Sequence, residues 1–248
     1  MSTVALPLII GHSHAGALFD AAAAARIATN NYSFWLASNA YEQKGKHVIL
    51  GADLMRHIKN ATMVISAIGG GSCRVLALAS VKKPFDFLHP AHPKKELDDQ
   101  SEIIPYAAVR DALLAQEALP LAILRAVVEA STLRVVHIIP PSPTRMWEGP
   151  GARELTKRTA ALLGINDGPE IESHRIHSLT LALWSVMIEL HRETCTSLGI
   201  EVIDQPAHTR DEHGYLRPEY AQDPMHGNDQ YGLALIDRLG LLNDKTDE

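Results

Sequence analysis

The sequence predicts an α/β fold, a parallel sheet with helices on both faces, and three observations carry that reading. Residues 4–10 form an apolar run that ends at Gly11 and passes into an alanine-rich stretch. Residues 61–68 form a second run, closed by Gly69-Gly70-Gly71-Ser72 and followed by another helical segment. A long helical stretch then precedes a further apolar run at residues 200–203. Strands that alternate with helices form βα units, and their parallel strands need helices as crossovers.

Taken in order, residues 4–10 read as a buried strand, because a short apolar run bounded by glycine suits a strand covered on both sides. Residues 14–28 read as a helix on their alanine content, with Leu18, Phe19 and Ile27 as its larger apolar members. Asn30-Asn31 reads as a turn. Residues 61–68 form the next strand and Val75 to Leu78 open the helix after it. Residues 133–139 are a third strand, closed by Pro140-Pro141-Ser142-Pro143. Residues 178–198 form a long helix before the strand at 200–203. The last helix spans residues 228–239, with Tyr231, Leu235 and Leu239 on one face and Gly240 beyond its end. Residues 82–105, with their four prolines, read as a long surface excursion or lid. Residues 1–242 are expected to form one domain, and residues 243–248 a polar tail.

Composition excludes several functions. The formal charge is −6 and the basic residues are scattered, Lys82-Lys83 and Lys94-Lys95 included, so no concentrated basic face marks a nucleic-acid partner. The two cysteines, Cys73 and Cys195, make neither a disulfide framework nor a C-x-x-C metal spacing, and Cys73 reads as a small buried apolar residue. The amino terminus has no signal-peptide pattern and no apolar run is long enough to span a bilayer. The expected setting is cytoplasmic, with no membrane partner and no cofactor.

In a parallel sheet, ligands bind beyond the carboxyl ends of the strands. Ser13, the glycine turn and the proline cluster all fall there. At a helix start, Ser13 either caps the helix or offers its hydroxyl as a nucleophile beside its own N–H. Near the other end, Asp223-Pro224-Met225-His226-Gly227-Asn228 reads as a loop before a helix. An aspartate three residues before a histidine in a tight loop can accept the imidazole Nδ1–H, which leaves Nε2 free to take a serine proton. Elsewhere, His137 in an apolar strand reads as a hydrogen-bonded core residue. His174 and His177 lack a third metal ligand. Arg145 and Trp147 either shape a pocket or pack a loop.

G-x-S after the first strand (Gly11, His12, Ser13), a glycine turn after a middle strand and D-x-x-H before the last helix resemble the SGNH (GDSL-like) hydrolases, over nearly the whole chain. The resemblance implies a flavodoxin-like three-layer α/β/α sandwich and hydrolysis of acyl esters, short-chain or O-acetyl, through an acyl-serine. It implies Ser13 as nucleophile, His226 as base and then acid, and Asp223 as the orienting carboxylate. The substrate is then a small-molecule acyl ester, with acylated carbohydrates among the candidates. Two positions depart from the family pattern. His12 stands in place of an aspartate, and Gly71 falls where the family has the asparagine that donates to the oxyanion. Backbone N–H groups of Gly70 and Gly71, or the Ser72 hydroxyl, are the expected substitutes, with Gly45 and Gly51 as candidates for the family's other oxyanion glycine.

Two alternatives stay open. His12 and His14 form an H-x-H at a strand end, a start for a metal-dependent hydrolase that would need further ligands such as His137 or Asp204. The replaced asparagine also leaves room for a non-catalytic binding protein on the same scaffold.

Overall fold

The computed structural model describes residues 5–34, 37, 39–45, 47–91, 96–145, 161, 164 and 174–242. Five parallel strands form the central sheet: β1 (Leu6–Gly11), β2 (Asn30–Ser33), β5 (Ala61–Ala67), β8 (Val135–Ile138) and β9 (Glu201–Ile203). Their order across the sheet is β2-β1-β5-β8-β9. The chain moves outward from β1 in one direction and then, from β5 on, in the other. The switch therefore falls between β1 and β5, where an open parallel sheet leaves a crevice for ligands. This is the flavodoxin-like order, as expected.

Side-chain alternation along each strand sorts the helices into layers. Ile9, Ile65, Val136 and Ile138 face one way and pack on α1 (Gly16–Ala24) and on the last helix, α6 (Asp229–Arg238), through Leu18, Leu235 and Ile236. Leu8, Ile10, Val64 and Val135 face the other way, against Leu54 and Ile58 of α2 (Ala52–Lys59) and Ile123 and Val127 of α4 (Tyr106–Ala130). On that second side, α3 (Ser72–Ala79) and α5 (His174–Leu198) extend the core through Cys73, Ala77, Leu183 and Met187.

Three sequence expectations change. Asn30-Asn31 is not a turn but the start of β2, which pairs in parallel with β1 from Leu8↔Asn30 to Gly11↔Ser33. Asparagine disfavours strands, yet the free edge of β1 and the burial of Tyr32 outweigh that local preference. The described residues within 82–105 are tied to the body rather than free as a lid. Within them, β6 (Phe85–Asp86) pairs with β7 (Glu102–Ile103), Phe87 is fully buried in the core, and the Asp86 carboxylate accepts the N–H groups of Phe87 and Asp98. Gly45 and Gly51 serve the antiparallel pair β3 (Tyr41–Lys44) and β4 (His47–Leu50): Gly45 lies at its turn, and Gly51 caps α2. Neither lines the cleft at Ser13. Trp147, Lys94, Lys95 and the tail at 243–248 lie outside the described residues. Among the described residues, no helix is long and apolar enough to cross a membrane.

Candidate active site

β1 ends at Gly11 and the chain turns through one helical turn, Ser13–Ala15, before α1 begins. Ser13 is exposed and is the first residue of that turn, so its N–H has no partner within it. The Asp223–His226 loop is closed at its base by Gln222 N–H donating to the His226 carbonyl (2.8 Å). Asn228 then caps α6 by accepting the Tyr231 N–H (3.1 Å). Within the loop, Asp223 Oδ1 accepts the N–H groups of Met225 (2.8 Å) and His226 (2.9 Å).

Those two backbone bonds fix the carboxylate beneath the imidazole. His226 Nδ1 lies 2.7 Å from Asp223 Oδ2, and His226 Nε2 lies 2.8 Å from Ser13 Oγ. With Nδ1–H donated to the carboxylate, Nε2 is the free base facing the hydroxyl. Burial alone would raise the Asp223 pKa. The bond from His226, the electrostatic attraction of that ring and the two backbone donors outweigh it and hold the carboxyl below its usual range. The ring of His14 sits 4.7 Å from that of His226. Burial first, and the neighbouring His226 next, push the His14 pKa well below its ordinary value, so His14 is a neutral wall beside the base. His12 instead stacks on Phe34 at 5.1 Å. The two rings of the H-x-H thus enter different surroundings. Among the described residues no group of three His, Cys, Asp or Glu side chains is arranged to hold a metal.

Opposite Ser13, the turn after β5 completes a cleft of about 380 Å³, lined by His12, Ser13, His14, Gly69 to Ser72 and, from α4, Gln116, Glu117 and Pro120. Gly69 (φ +93°) and Gly70 (φ +118°) adopt backbone angles that side chains resist. A Cβ on Gly70 would also come within 2.5 Å of His14 Nε2. Gly71, with an ordinary backbone, has open space where its Cβ would be.

The donors expected for the oxyanion are only partly available. The Ser72 hydroxyl donates to Glu117 Oε1, and the Gly70 N–H is directed at the same carboxylate and helps lower its pKa. A buried carboxylate attracts the donors within its reach. The N–H groups of Ser13 and Gly71 remain.

Glu117 and its partner His191 escaped the sequence reading. Their signal was present: Val109, Leu113, Glu117 and Leu121 recur at four-residue spacing and all are buried, so one acid occupies an apolar stripe. His191 Nε2 lies 3.2 Å from Glu117 Oε2, His191 Nδ1 lies 2.9 Å from His137 Nε2, and His137 Nδ1 lies 3.1 Å from Ser66 Oγ. His137 is therefore a hydrogen-bonded core histidine. Burial, then the neighbouring His191, push its pKa well below the ordinary 6.5.

That depression makes stability depend on pH. The unfolded chain binds a proton at His137 below about pH 6.5 and the folded one does not, so its contribution is complete above that value and is lost as pH falls toward the folded pKa. Urea unfolding followed from pH 8 downward should therefore lose stability on this account below about pH 6.5, by at most about 1.4 kcal/mol per pH unit. His137→Gln should flatten the profile by that amount; an unaltered slope would reject the assignment.

No family model matches the chain, and no curated protein matches it. Solved structures do. The extracellular lipase from Streptomyces rimosus aligns with a TM-score of 0.51 at 11% identity, covering 98% of this chain and 100% of that one. Phospholipase A1 from Streptomyces albidoflavus NA297 aligns at 0.46 and 13%, covering 98% and 100%. A GDSL-like lipase from Bacteroides thetaiotaomicron VPI-5482 aligns at 0.40 and 9%, covering 97% and 89%.

Proposed function

On the fold of the SGNH (GDSL-like) hydrolases, we propose that this chain is a serine ester hydrolase acting through an acyl-serine. One observation carries the reading: Ser13 Oγ stands 2.8 Å from the imidazole nitrogen whose other face is held by a carboxylate. A serine hydroxyl is a weak nucleophile until a base takes its proton, and this base has its tautomer fixed.

Ser13 Oγ attacks the ester carbonyl carbon while its proton passes to His226 Nε2. The carbonyl oxygen becomes an oxyanion facing the N–H groups of Ser13 and Gly71. Asp223, held ionised, stabilises the imidazolium. Collapse of the tetrahedral intermediate breaks the bond to the alcohol, which leaves with the proton from Nε2. Water then attacks the acyl-serine, gives a proton to Nε2, and Ser13 regains it as the acid departs. The neutral ring of His14 adds no second positive charge beside His226.

Substrates in this reading are small acyl esters, short-chain or O-acetyl, with acylated carbohydrates as one class. Labelling tests it. Wild-type protein incubated with a fluorophosphonate should gain the probe's mass on Ser13 and should hydrolyse p-nitrophenyl acetate, and Ser13→Ala should do neither. Absence of both label and turnover in the wild type would reject the hydrolase and leave the non-catalytic binding protein.

A further inference from the structure

A buried polar chain runs beneath the glycine turn. His137 is neutral, with its Nε2 2.9 Å from His191 Nδ1 and its Nδ1 3.1 Å from Ser66 Oγ, so one ring nitrogen donates and the other accepts. Facing the ionised carboxylate of Glu117, His191 donates at Nε2. The carboxylate thus accepts His191 Nε2–H and the Ser72 hydroxyl, and the Gly70 N–H is directed at it. They arrive from α5, from the start of α3 and from the turn itself. Burial of Glu117 would favour its neutral form. The hydrogen bond and charge of His191, with the donors from Ser72 and Gly70, prevail and hold its pKa below the usual carboxylate value.

The turn lies directly on this assembly. A Cβ on Gly69 would fall 2.6 Å from His191 Cε1 and 2.9 Å from Glu117 Oε2. Ser72 is thus bound to the carboxylate at which the Gly70 N–H is directed, while the N–H of Gly71, between them, has no partner among the described residues. Binding the flanking residues fixes the peptide plane between them, and so the direction of that N–H.

We propose that Glu117 is a positioning residue that pins the Gly69–Ser72 turn through Gly70 and Ser72, and so aims the Gly71 N–H at the oxyanion. The proposal rests on the ester-hydrolase reading for its catalytic consequence. Its structural half, the tether on Gly70, stands apart from turnover. Glu117 itself touches neither the ester nor the nucleophile. Its contribution is geometric: an N–H that is fixed before reaction needs no reorganisation during it.

The test is Glu117→Gln, read by amide exchange and by kinetics. A carboxamide offers one acceptor oxygen in place of two and brings an NH₂ of its own, so it cannot hold these partners as the carboxylate does. In protein labelled with ¹⁵N-glycine, the Gly70 amide should be protected in the wild type and should exchange about tenfold faster or more in Glu117→Gln. With p-nitrophenyl acetate, kcat should fall by about a hundredfold, the scale of one lost oxyanion donor, while KM stays within about threefold. Unchanged Gly70 exchange, or unchanged kcat with Gly70 released, would overturn the proposal.

Ser72→Ala serves as the second variant and carries the test alone if Glu117→Gln fails to fold. It removes one tether, so kcat should fall by a smaller factor, with KM kept and the Gly71 amide exchanging faster. No change in either kcat or exchange would overturn the proposal. A wild type that neither labels at Ser13 nor turns over would reject the hydrolase reading instead, and Gly70 exchange would still decide whether Glu117 holds the turn.

Discussion

His226→Ala is expected to lower kcat for p-nitrophenyl acetate by about 10,000-fold or more, with an unchanged circular-dichroism spectrum. Nε2 is the group that faces Ser13 Oγ, at 2.8 Å, and its removal leaves the hydroxyl without a base. The side chain is also only partly buried, so its loss opens no large cavity. Asp223→Asn should be severe for a different reason. An amide can turn its NH₂ toward His226 Nδ1, which drives the imidazole proton to Nε2 and blocks the base. Its loss should again be of the order of 10,000-fold. Stability should fall too, because Asp223 Oδ1 also secures the loop through the N–H groups of Met225 and His226. The measurement is steady-state kinetics on both variants, together with fluorophosphonate labelling. A His226→Ala protein within tenfold of the wild type would remove the imidazole from the mechanism.

Gly71→Asn is the second large effect, and it is a gain. No atom lies within 4 Å of the Cβ that this change would add, and the backbone at Gly71 is one that any residue adopts. The position is the N-cap of α3, where an asparagine oxygen can accept a helix N–H while its NH₂ projects into the cleft shared with Ser13. One oxyanion donor is worth about a hundred- to a thousandfold in kcat. A rise of up to that size is expected where the acyl transfer step limits the rate. KM should change little, because the donor acts on charge that develops only in the transition state. A large loss of kcat in Gly71→Asn would show that the cleft needs the bare glycine.

The parts of the site that were legible in the sequence are those whose chemistry is local. Asp223 and His226 lie three residues apart in a loop bounded by Pro224 and Gly227, so their bond needs little more than the turn that contains them. The strand-to-helix junctions at Gly11 and at Gly69 to Gly71 were readable from apolar runs that end at glycine. The turn assigned to Asn30-Asn31 was not correct, because a free sheet edge and a buried tyrosine decided it from outside.

Apolar periodicity and glycine punctuation determined a parallel α/β sheet and the two chain segments that meet at its carboxyl edge. Tertiary structure decided what those segments touch. It brought Ser13 and His226 within hydrogen-bond distance across 213 residues. It also placed Glu117 and His191, from two helices, under the glycine turn, where the carboxylate took the Ser72 hydroxyl expected to face the substrate. The reason lies in how each kind of information is stored. Local dihedral preference and apolar spacing belong to short stretches of chain, whereas the partner of a buried polar group depends on which helix faces pack together.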